Sequence, residues 1–172
     1  MKLRVEDIPP SGLSLEFEED PKEVLNVVKE CDFRLSGPVA AHLDITRKGV
    51  DVFITGDIQA TLLLVCSRCL NDYEHKLQED IALFYTMEKE TGKERELKTE
   101  DLETGFIEGG VIDMDMVLFE ELSLEAPTKP LCSNDCKGLC PVCGADLNVE
   151  VCGCEAKEKV DPRFAKLKDI KS

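Results

Sequence analysis

Residues 132–144 read Cys132-Ser-Asn-Asp-Cys136-Lys-Gly-Leu-Cys140-Pro-Val-Cys143-Gly144, and this short run governs the interpretation of the whole chain. Eight of the nine cysteines fall into close pairs, which are Cys66/Cys69, Cys132/Cys136, Cys140/Cys143 and Cys152/Cys154. Paired thiolates at this spacing suit a soft cation, because one turn of backbone aims two sulfurs at a single point. Eight ligands predict two tetrahedral sites. A site closed by four protein thiolates is structural rather than catalytic.

The spacing leaves two groupings of these pairs open. In the grouping we favour, Cys140/Cys143 joins Cys152/Cys154 in a zinc-ribbon-like loop, and Cys66/Cys69 joins Cys132/Cys136 across 62 intervening residues. In the alternative, the four cysteines between 132 and 143 share one ion and the remaining two pairs share the other. The Cys-Pro-Val-Cys-Gly run is typical of zinc knuckles, so two Zn²⁺ ions are predicted. An iron–sulfur centre is the alternative, because thiolate ligands alone do not exclude iron.

The cellular compartment decides whether close cysteine pairs are expected to bind metal or to form disulfides. No apolar run approaches the roughly 20 residues that span a bilayer, and the first residues lack the apolar core of a signal peptide. We therefore expect a cytoplasmic protein, in which close cysteine pairs bind metal more often than they form disulfides. Cys31 has no partner in sequence and is predicted to be a small buried apolar residue.

The charge is strongly negative and unevenly distributed. The formal net charge is −15; residues 1–128 carry 29 acidic and 13 basic side chains, whereas residues 129–172 carry 7 and 8. Non-specific nucleic-acid binding depends on Lys and Arg that neutralise phosphates, so the composition favours a basic protein partner over RNA. Direct RNA contact through a local basic surface around Arg68, Lys129, Lys137 and the Lys and Arg residues of the C-terminal tail is the second hypothesis.

Alternating hydrophobicity predicts the body of the fold. Strands are expected at 39–46, 50–55, 58–65 and 73–86, with Gly49 in a turn and Gly56 interrupting the pattern. Helices are expected after Asp20 and after Asp115, each capped by that aspartate. Residues 88–103 are expected to form a solvated loop or exposed helix, and 161–168 a helical turn.

The predicted class is therefore α+β. An antiparallel β-sheet with a few helices would occupy residues 1–128. A C-terminal Cys-rich, zinc-ribbon-like block at 129–172 would pack on this body through Cys66/Cys69. The chain has only two histidines, no convergent acid/base group, no nucleophile elbow and no phosphate loop, so we predict that it is not an enzyme.

Several of these motifs together resemble the YceD family of large ribosomal RNA subunit accumulation proteins. The resemblance runs from about Val39 to Leu167 and rests on Cys66-Ser-Arg-Cys69, Pro130-Leu-Cys132, the block 138–148 and Asp161-Pro-Arg163. It implies a non-enzymatic role in ribosome biogenesis, in the synthesis, processing or stability of large-subunit (23S) ribosomal RNA. The expected partner is a ribosomal protein or a pre-ribosomal particle. The alternatives are a zinc-stabilised protein–protein adaptor outside ribosome assembly and an Fe–S or redox protein.

Overall fold

The computed structural model describes residues 1–29, 31–87 and 104–154, and these residues form an α+β fold, as predicted. The charged segment at 88–103 and the tail beyond residue 154, for which a loop and a helical turn were expected, lie outside the described residues. The helices are α1 (Pro21–Leu25), α2 (Met114–Glu125) and a 3₁₀ turn at Val5–Asp7. The strands are β1 (Lys2–Arg4), β2 (Leu13–Glu19), β3 (Arg34–Leu35), β4 (Val39–Lys48), β5 (Asp51–Val65), β6 (Asp72–Thr86), β7 (Thr104–Phe106) and β8 (Val111–Asp113).

The main sheet has the strand order β2-β4-β5-β6-β7, and β3 pairs with the end of β5. Neighbouring strands from β2 to β6 run antiparallel, as the alternating pattern predicts. The short strand β7 instead pairs in parallel with the end of β6. A separate two-stranded sheet joins β1 to β8. The sequence pattern predicted neither of these last two pairings.

Strand β5 corrects one expectation, because it continues through Gly56 as a single strand of 15 residues instead of two shorter ones. Gly56 has a φ of +152°. A Cβ atom placed there would lie 1.9 Å from the carbonyl oxygen of His42 on β4. Glycine therefore lets β4 and β5 stay hydrogen-bonded at a point where any side chain would force them apart.

The core lies between the inner face of the sheet and helix α2. Its fully buried side chains include Leu43, Ile45, Ile54, Ile58 and Leu62 from the sheet, and Met114, Leu118 and Leu122 from α2. Phe119 of α2 stacks on Phe33, with ring centroids 6.0 Å apart. This core between sheet and helix positions the β5–β6 hairpin, whose turn carries the first cysteine pair.

The helix caps follow the predicted chemistry with one correction. Asp20 caps α1 by accepting a hydrogen bond from Lys22 N at 2.8 Å. The cap of α2 is Asp113 rather than Asp115: its carboxylate accepts from Asp115 N at 3.2 Å, so the helix begins at Met114. That start buries Met114 completely, which explains why the helix begins two residues earlier than the aspartate pattern suggested.

Cys31 is exposed, so the prediction of a buried residue was wrong. It lies before β3 at the rim of a groove between Phe33 and the C-terminal end of α2, where its side chain remains open to solvent. Among the described residues, no helix is both long and apolar enough to span a bilayer.

Candidate metal centres

The turn between β5 and β6 holds the first cysteine pair. Cys66 follows the last residue of β5, and its N–H donates to the carbonyl of Asn71 at 2.9 Å. Leu70 closes the turn with a φ of +60° and donates from its backbone to Cys66 O at 2.9 Å. The N–H of Ser67 reaches Pro130 O at 2.9 Å. This last bond brings the segment around residue 132 against the hairpin.

The first cluster is thereby formed by Cys66, Cys69, Cys132 and Cys136, whose sulfur atoms all lie within 4.8 Å of one another. Three of the four side chains are buried and Cys132 is exposed. This arrangement is the grouping that we favoured from the spacing. His75, which follows on β6, is not part of it; its position pairs with Leu62 of β5.

The second cluster is formed by Cys140, Cys143, Cys152 and Cys154, whose sulfurs also lie within 4.8 Å of one another. Its turn is shaped by Gly144, which has a φ of +77° and donates to Cys140 O at 2.9 Å. Cys140 N in turn donates to Ala145 O at 2.8 Å. Only Cys140 is buried here, while Cys143 and Cys154 are exposed, so solvent reaches this cluster more readily than the first.

The distances between sulfurs test whether a metal ion fits. All eight cysteines are free thiols. In the first cluster the Cys66 and Cys136 sulfurs lie 3.8 Å apart, and those of Cys69 and Cys132 lie 3.7 Å apart. These separations are far longer than the roughly 2.0 Å of a disulfide. They match the edge of about 3.8 Å in a tetrahedron of four sulfurs, each about 2.3 Å from one Zn²⁺. Both clusters of four cysteines could therefore bind metal.

The electrostatics of the thiols point the same way. Backbone N–H donors, first that of Cys69, lower the pKa of Cys66 to about 6. In the second cluster the N–H groups of Cys143 and Val142 lower the pKa of Cys140 to about 6. By contrast, a hydrogen bond with the neighbouring Cys136 thiol raises the pKa of Cys132 to about 12. In each cluster, a thiol whose pKa is lowered thus lies beside one whose pKa the neighbouring sulfurs raise, and a divalent cation would relieve that repulsion.

Arg68, one of the residues considered for RNA contact, lies beside the first cluster and is held there by hydrogen bonds. Its guanidinium donates from Nη1 to Cys136 O at 2.9 Å and to Asn134 O at 3.2 Å. Its own carbonyl accepts from Leu139 N at 3.1 Å. Gly138, with a φ of +73°, passes so close that a Cβ would lie 2.9 Å from Arg68 O. Arg68 therefore ties the cysteine segment to the hairpin.

A second candidate surface is the face of the sheet turned away from the core, here called the outer face. Strand register places Glu16, His42, Asp57 and Asp80 directly opposite one another across β2, β4, β5 and β6. His42 Nδ1 lies 3.6 Å from Asp57 Oδ1. Asp57 and Asp80 are like charges in a cross-strand pair, an arrangement that repels unless a cation approaches.

The outer face is open and slightly concave. Two adjoining hollows of about 570 and 440 Å³ share Glu18, Ala40 and Gln59 as lining residues. Within the described part of the chain, no Lys or Arg side chain pairs with the carboxylates of Glu16, Glu18, Asp44, Asp57 or Asp80. The small side chain of Ala40 thus leaves a trough in which Glu18 lines both hollows, Glu16 and Asp57 line the smaller one, and Lys76 lines the larger one.

Comparison with known proteins gives a consistent result. The family model described as "Large ribosomal RNA subunit accumulation protein YceD" matches residues 54–171, a span that includes both clusters. An uncharacterized protein of Mycobacterium tuberculosis is 32% identical over 130 residues, covering 74% of this chain and 60% of that protein. An uncharacterized protein of Mycobacterium leprae is 29% identical over 133 residues, covering 77% and 59%.

A plant protein matches as well. The Arabidopsis thaliana protein named "Large ribosomal RNA subunit accumulation protein YCED homolog 1, chloroplastic" is 26% identical over 159 residues, covering 78% of this chain and 50% of that protein. The chain thus spans about 50 to 60% of the length of these curated relatives. No solved structure matches the chain. Because the family model covers more than half of the sequence, this chain belongs to the YceD family of large ribosomal RNA subunit accumulation proteins.

Proposed function

We propose that this protein supports the accumulation of large-subunit (23S) ribosomal RNA as a non-enzymatic binding factor. It acts by binding a basic ribosomal protein, free or within a pre-ribosomal particle, and not by contacting RNA directly. Family membership supports the ribosomal role. The single observation that carries the choice of partner is the acidic outer face, because its row of carboxylates would repel phosphates and attract Lys- and Arg-rich segments.

The sign of the charge decides between the two partner classes. RNA binding requires a surface that neutralises phosphates. The basic residues considered for it are Arg68, Lys129, Lys137 and those of the tail, and the tail lies outside the described residues. Arg68 is committed to carbonyl groups of the cysteine segment. The outer face, in contrast, presents five carboxylates that no described Lys or Arg neutralises. A cationic protein segment in the trough over Ala40 would supply the missing counter-charges.

The metal has a structural part in this proposal. Two Zn²⁺ ions would be held by the first and second clusters, with all eight paired cysteines as ligands: Cys66, Cys69, Cys132, Cys136, Cys140, Cys143, Cys152 and Cys154. Four thiolates leave no coordination position for a substrate. The ions would clamp the block at 129–172 to the body at 1–128. A multi-iron cluster would place some of its ligand sulfurs farther apart than the 4.8 Å within which each set of four lies, because sulfurs bound to different iron atoms are separated by the cluster itself.

The test of the ribosomal role is affinity capture of the intact chain from cells in which it is functional, followed by identification of the bound proteins and RNA. We expect basic large-subunit ribosomal proteins or pre-ribosomal particles, and we expect the proteins to stay bound after nuclease treatment. Capture of partners unrelated to ribosomes would favour an adaptor outside ribosome assembly. Purified protein that binds 23S RNA alone, with a steep salt dependence, would contradict the choice of a protein partner.

A pair of charge variants tests the surface. Glu16→Lys with Asp80→Lys reverses two carboxylates of the outer face, and we expect this variant to lose its basic partner. Glu120→Lys with Glu125→Lys makes the same change in net charge on α2, at the side of the molecule that carries the helix, and serves as the matched control. If both variants bind the partner equally well, the outer face is not the binding surface.

Elemental analysis of the purified chain tests the metal assignment. Two zinc atoms and no iron per chain are expected, from protein kept under reducing conditions throughout purification. Iron in place of zinc would favour the alternative of an iron-containing protein. The proposed place of action is the cytoplasm, where thiols stay reduced and can hold metal.

A further inference from the structure

We infer that the two clusters bind metal with positive coupling, because the loop closed by the second cluster supplies Asn148 as a hydrogen-bond donor to Cys136 of the first. This inference rests on the metal binding proposed above and is independent of the ribosomal role. It assigns a function to residues that are not themselves ligands. Asn148 is a positioning residue for the first site.

The side chain of Asn148 makes three hydrogen bonds that fix its orientation. Its Oδ1 accepts from the backbone N–H of Lys137 at 2.8 Å, which identifies the oxygen. Its Nδ2 therefore donates, to Asp146 Oδ1 at 2.7 Å and to Cys136 Sγ at 3.4 Å. Donation to a sulfur stabilises the thiolate, the form that binds metal.

The loop that carries Asn148 belongs to the second cluster. Residues 144–151 connect Cys143 to Cys152, so an ion in the second cluster closes this loop of eight residues. Within it, Asp146 accepts from the backbone of Asn148 at 2.9 Å and bonds to Asn71 Nδ2 at 2.7 Å. Asn71 lies in the hairpin turn of the first cluster. The second loop therefore touches the first cluster at two places, a ligand sulfur and the turn that presents the other ligand pair.

Backbone contacts strengthen the same connection. Leu147 N donates to Gly138 O at 3.0 Å, and Leu139 pairs with Asp146 in an isolated antiparallel bridge. Gly138 lies between Cys136 of the first cluster and Cys140 of the second, so the two clusters share one short connecting segment. Because so few residues separate the two clusters, ordering the backbone at one cluster restrains the backbone at the other.

Coupling follows from the cost of ordering this loop. Without an ion in the second cluster, the eight residues would have to give up their conformational freedom to hold one amide against Cys136. An ion in the second cluster has already ordered them. The hydrogen bond to the thiolate then forms without that cost, and the first site binds its ion more tightly. By linkage, an ion in the first site tightens the second by the same factor.

The size of the effect is that of one hydrogen bond to a charged group. Such a bond corresponds to a change in affinity on the order of tenfold. We therefore expect the affinity of the first cluster to fall about tenfold when either the second cluster or the Asn148 donor is removed. Removing both the second cluster and the Asn148 donor should lower the affinity of the first cluster little more than removing either one, because both act through the same hydrogen bond.

The experiment uses the full chain loaded with ¹¹³Cd²⁺, which gives each site its own NMR resonance, and removes the metal by competition with a chelator. No variant has to refold from the metal-free state. Asn148→Asp keeps the acceptor for Lys137 N–H and removes the donor to Cys136. Asn26→Asp, at the C-terminal end of α1, is the same substitution far from both clusters and is the matched control. Cys152→Ser with Cys154→Ser removes the second site.

In the wild-type chain and the Asn26→Asp control, the first site should resist about tenfold more chelator than it does in the same chain without Cys152 and Cys154. In Asn148→Asp this difference should be lost, and the resonance of the first site should shift while that of the second does not. The inference is overturned if the two sites empty independently in the wild-type chain. It is also overturned if Asn148→Asp weakens the first site equally with and without the second cluster, since Asn148 would then stabilise only its own neighbourhood. A chain that binds no Cd²⁺ at all overturns the metal assignment and the coupling together.

Discussion

Replacing Cys66 and Cys69 together by serine is expected to destabilise the protein more than replacing Cys152 and Cys154 of the second cluster. The first cluster joins this pair to Cys132 and Cys136, and 62 residues lie between the two pairs. The chain-entropy relation for a cross-link gives about 4 kcal/mol for closing a loop of that length. For the eight residues that the second cluster closes, the same relation gives about 2.5 kcal/mol.

Burial adds to the difference. Cys66 and Cys69 are 0% and 3% exposed, so their hydroxyl replacements would lie in a site that lacks both its ion and water. The matched control is Cys152→Ser with Cys154→Ser, which removes the same number of sulfurs from the more exposed cluster. Both variants should retain one metal ion per chain, but the first should be less stable by about 2 kcal/mol or more.

The assay is urea unfolding at buffered free Zn²⁺, with metal content measured on the same samples. A Cys66/Cys69 variant that keeps both ions and the wild-type midpoint of urea unfolding would show that these residues are not ligands. Equal losses of stability in the two variants would show that loop closure by the ion is not what stabilises the fold. Either result refutes the account of the first cluster as a clamp between the sheet and the C-terminal block.

Three further predictions concern the body of the protein. Gly56→Ala should lower the free energy of unfolding by about 3–5 kcal/mol, because the new Cβ would overlap the His42 carbonyl at a positive φ. The control Gly37→Ala, which has open space around it, should change that free energy by less than about 0.5 kcal/mol. Asp113→Ala removes the cap of α2 and should lower the free energy of unfolding by about 1 kcal/mol. Burial, and then repulsion from two glutamates of α2, raises the pKa of Tyr85 from 10.0 to about 12. Because the folded state therefore holds the phenol proton more tightly than the unfolded state does, the stabilisation from neutral Tyr85 is complete below pH 10 and is lost between about pH 10 and 12. The absorbance of tyrosinate should show that Tyr85 ionises near pH 12. In Tyr85→Phe, the loss of stability between pH 10 and 12 should be smaller. Ionisation of Tyr85 near pH 10 would contradict this prediction.

The sequence predicted those features that a local pattern specifies. Alternation of apolar and polar residues fixes which face of β4 and β6 is buried, because side chains point to opposite faces at every step. The cysteine pairs predicted two four-sulfur clusters, and the preferred grouping matches the observed positions of the sulfur atoms. Asp20 and Pro21 specified the start of α1, since a capping carboxylate and a proline at the first position act within one turn.

The features that were missed depend on contacts distant in sequence. Gly56 was interpreted as a break because glycine usually interrupts a strand, and only the approach of His42 shows that it keeps β5 continuous. The cap of α2 shifted to Asp113 because burial of Met114 extends the helix. Cys31 was expected to be buried from the general behaviour of free cysteine, yet no local signal reveals that its segment runs along the rim of a groove.

The network around Asn148 could not have been found by pattern either, although one signal was present. The block from 138 to 148 ends in Asp146-Leu-Asn148, a pair of side chains that readily bond to nearby backbone. Spacing indicates a turn there. It does not indicate that the turn reaches Cys136 of the other cluster, because that contact depends on Gly138 passing directly over Arg68.

The metal clusters and the acidic outer face lie on the same hairpin but at different points along it. Asp57 pairs with Asp80, eight residues from the Val65–Asp72 pair that ends the hairpin next to Cys66. At about 3.4 Å per residue this separation is about 27 Å, so a partner segment bound at the Asp57–Asp80 pair would not contact the metal. Between the two sites, Ile58 and Leu62 are fully buried against the core and hold the outer face in place independently of the turn. We therefore expect a chelator that empties both clusters to reduce affinity for a basic partner by less than about threefold, provided the combined loss of about 6 to 7 kcal/mol leaves the chain folded. Reversal of Glu16 and Asp80 should abolish the same binding while both ions stay bound. Loss of partner binding to the same extent in both experiments would mean that the metal block itself forms part of the binding surface.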